Sequence, residues 1–138
     1  MAYIGRFQPL LVHSPIALVL TAAAELVALA APRTAWRAVA LANTRAGAAL
    51  GVVTAVTGWL FASSPQVDAS PSLEWHRWVG MAGAAGAIGA ALLLSRLHAS
   101  LRGSAFVYRV TLFVTALLVA ITGHLGGTLV WGAGFFRR

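Results

Sequence analysis

The chain has 138 residues, 59% hydrophobic and 9% charged, with mean hydropathy +0.82, which excludes an ordinary soluble globular domain. Its ten basic residues are all arginine and face only three acids, for a net charge of +7; they are scattered over every loop and both ends with no basic face, which excludes a nucleic-acid partner and points to lipid headgroups. With no cysteine, disulfides, iron–sulfur clusters, thiolate ligands and covalent haem attachment are excluded, so any metal must be held by histidine, carboxylate or methionine.

Apolar runs able to cross a hydrocarbon core of about 30 Å predict four transmembrane helices, near 10–31, 46–62, 78–95 and 110–131. The first is introduced by QPLLVHSPIAL, where Ser14 suits an N-cap and Pro15 the first helical position, leaving His13 at the mouth. This run is long for the apolar region of a signal peptide and reads as the first span. Pro32 closes it, and the loop 32–45 carries Arg33, Arg37 and Arg45. Glu25, the one acid inside an apolar run, lies within reach of Arg45 or Arg109 and is expected to pair with one of them, a proton relay being the other reading.

The second helix has a small-residue stripe at Gly47, Gly51, Ala55 and Gly58 that admits a close helix neighbour. The loop 62–77 carries Asp68, Glu74, Trp75 and His76, and the third helix holds the run GMAGAAGAIGAA over 80–91. After a basic stretch from Arg96 to Arg109 the fourth helix ends in ITGHLGGTLVW, with His124 between Gly123 and the pair Gly126 and Gly127. Short connections predict an all-α integral membrane protein, an up-and-down four-helix bundle. The offset between His13 and His76 and the likeness of TAVTGWL (54–60) to VAITGHL (119–125) read as two tandem helical hairpins, which pairs Trp59 with His124.

Six arginines follow helices one and three, and four lie on the other side with two acids. By the positive-inside rule the six face the cytoplasm, which predicts a multi-pass protein of a bacterial inner membrane with both termini extracytoplasmic. Helix alternation then places His13, His76 and His124 on one side, and His98 on the other as an interfacial residue. Rise along the helix sets His124 about 22 Å beyond Arg109.

Three readings of the co-facial histidines compete. They are structural; or two of them, by symmetry His13 and His76 with His124 as the alternative, are axial ligands of a b-type haem; or all three hold a transition metal. A haem would use Gly58, Gly123, Gly126 and Gly127 as gaps and Trp59, Trp75, Trp78 and Trp131 as flat walls, although these tryptophans equally suit an interfacial belt. The haem reading implies electron transfer between a quinone or other membrane donor and an extracytoplasmic acceptor. The contrasting reading is a non-redox accessory subunit whose stripes Gly47/Gly51/Gly58 and Gly80/Ala84/Ala87/Ala91 pack against other membrane subunits or a second copy.

At LVHSPIAL, HRWVG and GHLGGTLVW the chain resembles a family of small four-helix bacterial membrane proteins, domain of unknown function 2231. The resemblance implies that His13 with Ser14 and Pro15 opens helix one, His76 opens helix three, and Gly126, Gly127, Leu129 and Val130 close helix four. Relatives often carry a further histidine where this chain has WGAG, so that ligand is absent here. Relatives joined to Rieske or cytochrome modules imply electron transfer by association.

Overall fold

Small side chains decide how closely these helices approach, and the approach decides what the bundle can hold. The computed structural model describes residues 16–30, 34–65, 67–97 and 102–132. The described residues form four helices: α1 (Ile16–Ala30), α2 (Thr34–Ala62), α3 (Pro71–Leu97) and α4 (Arg102–Trp131). α1 packs on α2, α2 on α3, α3 on α4 and α4 back on α1, which is the closed ring of an up-and-down bundle.

Segments Ala38–Ala62, Pro71–Ser95 and Ala105–Trp131 are long and apolar enough to cross a membrane. The described part of α1 has 15 residues, and the proposed cap at Ser14 and Pro15, the stop at Pro32, and His13 and His98 lie outside the described residues. α2 begins at Thr34, twelve residues before the apolar run suggests, so most of the expected loop 32–45 is helix. Hydropathy marks only the lipid-facing stretch of a helix, whereas alanine, leucine and arginine continue the same helix into the headgroups at little cost. The connection between α2 and α3 shortens for the same reason. Ser70 Oγ accepts the N–H of Leu73 at 3.2 Å and Pro71 takes the first helical position, so Trp75, His76 and Arg77 belong to α3. α4 ends on Gly132, at φ 79°, whose N–H reaches Thr128 O at 2.9 Å.

The seam between α3 and α4 is built on glycines three apart. A Cβ on Gly80 would meet Thr122 Cγ2 at 3.3 Å, on Gly83 Val119 Cγ2 at 3.6 Å, and on Gly89 Thr111 Cγ2 at 3.7 Å, while on Gly86 it would overlap Thr115 Oγ1. As numbers rise on α3 they fall on α4, which fixes an antiparallel register. The core between the helices is correspondingly thin: Ala22, Ala48, Ala87, Ala90, Leu94, Tyr108, Leu112 and Ala116. Large aliphatic and aromatic side chains such as Leu92, Phe106, Leu117 and Val130 stay on the outside. A hydrocarbon solvent gives them no reason to turn inward, so association rests on close backbone packing and polar contacts.

Candidate functional site at the 63–70 end of the bundle

α3 delivers His76 into the seam with α4, one and a half turns past its start. Nδ1 lies 3.0 Å from the carbonyl oxygen of Thr122. A carbonyl can only accept, so Nδ1 carries the proton, and in the neutral ring Nε2 keeps the lone pair. Among the described residues no hydrogen bond reaches Nε2. The ring rests on Gly126, where a Cβ would stand 3.0 Å from Cε1 and 3.5 Å from Nδ1. Thr122 and Gly126 are one α-turn apart and share a face, so the carbonyl that accepts from His76 is the one α-helical bonding pairs with the Gly126 N–H.

His124 does not join this arrangement. It is two residues from both Thr122 and Gly126, about 200° around the helix from the first and as far back from the second, so it stands on the opposite face and is exposed. A site drawing on His76 and His124 together is therefore not assembled, and among the described residues no cluster of three His, Cys, Asp or Glu side chains is placed to hold a metal. Gly123 and Gly127 likewise lie away from the His76 face, and a Cβ on either would meet nothing within 4 Å. The glycines of GHLGG thus divide: Gly126 makes room for an imidazole, and Gly123 and Gly127 open outward.

Beside His76 lies an aromatic cluster that sequence reasoning did not find. The Arg77 guanidinium carbon sits 3.8 Å over the centroid of Trp59, and Trp59 meets Trp78 edge to face at 5.8 Å and 79°. Trp59 and Trp78 thus contact an arginine and each other although both are exposed, as Trp75 and Trp131 are. The imbalance of cations over acids was the available signal.

Toward the opposite end, Glu25 is buried with 7% of its side chain exposed, and its Oε2 lies 3.6 Å from Arg109 Nε. Arg109 is the partner and Arg45 is exposed. Tyr108 and Thr44, both buried, place their hydroxyls 3.2 Å apart across the core at the same level. The stripe Gly80/Ala84/Ala87/Ala91 is largely spent inside the chain, since Gly80 faces Thr122 and Ala87 is fully buried.

The profile of the family described as predicted membrane protein, domain of unknown function 2231, matches residues 7–136, and the chain belongs to that family. No curated protein and no solved structure matches it.

Proposed function

We propose that this member of the family is a membrane haem protein in which His76 and His13 would hold a b-type haem. One observation carries the reading: the hydrogen bond from Nδ1 to Thr122 fixes the ring and leaves Nε2 as the donor atom, which is how ligating histidines are commonly oriented. The chemistry of the donor fits the group, since a neutral imidazole with its Nε2 lone pair available is what a haem in a cysteine-free bundle would take, and His13, outside the described residues, would supply the second.

Chain reach is compatible with the pair. From the contact of Glu25 with Arg109, Ile16 lies about 13 Å along α1 and Thr122 about 20 Å along α4. The remaining difference of about 6 Å is shorter than the roughly 11 Å that three residues of chain can span. With His124 turned to the other face, two histidines remain, which favours haem over a three-histidine transition-metal site. Bound there, haem supplies a one-electron couple, and we place the protein between a membrane donor such as a quinol and an acceptor on the extracytoplasmic side. The arginine-rich ends of the helices would then face the cytoplasm of a bacterial inner membrane.

The test is the purified chain, expressed with haem supplied: a Soret band and about one iron per chain are expected. A colourless, iron-free protein of normal helical content would overturn the reading.

A further inference from the structure

The chain has three acidic side chains to set against ten arginines, and all three are located. Glu25 is held by Arg109 far from the 63–70 end. Asp68 and Glu74 are exposed at that end, and neither forms an ion pair among the described residues. Glu74 is one turn before Arg77 on the same helix, at a spacing where opposite charges readily meet, yet Arg77 turns to α2 and lies over Trp59 instead. Its Nε is sealed from solvent without a hydrogen-bond partner. Among the described residues no acid pairs with the guanidinium, so stacking engages one face and leaves the charge without a counter-ion and Nε without an acceptor.

Depth narrows what can supply the missing charge. Arg77 is the last charged residue before the charge-free stretch 78–95, about 27 Å of helix, so it stands at the boundary between hydrocarbon and headgroups. Phosphate oxygens are the anions met at that depth, and a planar guanidinium matches them with two parallel N–H donors. A zwitterionic headgroup brings its own cation toward Arg77, whereas a net-anionic one does not.

We propose that Arg77, laid over Trp59 with Trp78 bracing that ring, seats the phosphate of an anionic phospholipid headgroup. The seat is independent of any cofactor on His76. It is tested with the full chain, delipidated in non-ionic detergent and offered equal amounts of phosphatidylglycerol and phosphatidylcholine, by native mass spectrometry. The wild type retains one phosphatidylglycerol in preference to phosphatidylcholine, and Arg77→Gln binds it about tenfold more weakly. Arg77→Lys, which keeps the charge but loses the fork, falls between, and Trp59→Leu weakens binding by removing the platform.

Should Arg77→Gln fail to fold, the lysine and Trp59→Leu variants decide by the same readout. Equal retention by wild type and a folded Arg77 variant overturns the seat, as does equal retention of the two lipids. Displacement of the lipid by millimolar inorganic phosphate would make it a free-anion site and overturn it too. Loss of bound haem from the Arg77 variants with lipid retention unchanged would assign the anion to a cofactor carboxylate, again overturning the proposal.

Discussion

Three glycines lie within five residues in GHLGG, and only one is committed to a neighbour. A methyl group at Gly126 meets the His76 ring at 3.0 Å, so Gly126→Ala must push the imidazole from the Thr122 carbonyl. We expect it to cost about 1–2 kcal/mol despite alanine's better helix propensity. Gly123→Ala and Gly127→Ala meet nothing within 4 Å and are expected to be neutral or stabilising by up to about 1 kcal/mol. Thermal unfolding in detergent distinguishes these outcomes; equal effects at all three positions would contradict the orientation of His76. The sequence marks the histidine and the glycines as unusual, but the split between them depends on the phase of α4 against α3, which no single-helix pattern contains.

The α3–α4 hairpin offers a second contrast between glycines that look alike in sequence. At Gly86 an added Cβ overlaps the Thr115 hydroxyl, which is itself bonded to Thr111 O at 2.7 Å, whereas at Gly51 on α2 it meets nothing within 4 Å. Gly86→Ala is therefore expected to destabilise the hairpin by about 1–3 kcal/mol and Gly51→Ala to be tolerated, as read by chemical unfolding followed by circular dichroism. Helical spans were legible from hydropathy because the bilayer imposes their length. Their ends were not, since α2 runs back to Thr34 and α3 to Pro71 through residues that are polar yet favour helix. The glycine seam Gly80, Gly83, Gly86 and Gly89 has a period of three and shares only Gly80 with the stripe Gly80/Ala84/Ala87/Ala91 read from the sequence.

Across the whole molecule, α1 is tied to α4 by the pair Glu25–Arg109, a contact between the first and last helices of the described residues. Removing Arg109 alone leaves a buried carboxylate without its counter-charge, so Arg109→Leu should destabilise more than the double variant Glu25→Gln, Arg109→Leu. Arg109 keeps 30% of its side chain exposed and the contact is 3.6 Å, so we expect a coupling of about 1–2 kcal/mol in a double-mutant cycle. Additive single effects would show that the pair does not hold the bundle closed. Orientation is tested on the cysteine-free chain with introduced thiols. Asp68→Cys is expected to react with a membrane-impermeant maleimide in intact cells and Ser95→Cys only after lysis, and the reverse pattern would invert the topology.

The two readings of the histidines separate most directly in the visible spectrum of matched variants. Because the His76 ring is held through Nδ1 on the Thr122 carbonyl and His124 stands on the opposite face of α4, the proposed haem requires that His76→Ala abolish the Soret band of the purified protein while His124→Ala leaves it at wild-type intensity. A band that survives in His76→Ala, or that is lost in His124→Ala, would contradict the assignment of His76 as the ligand.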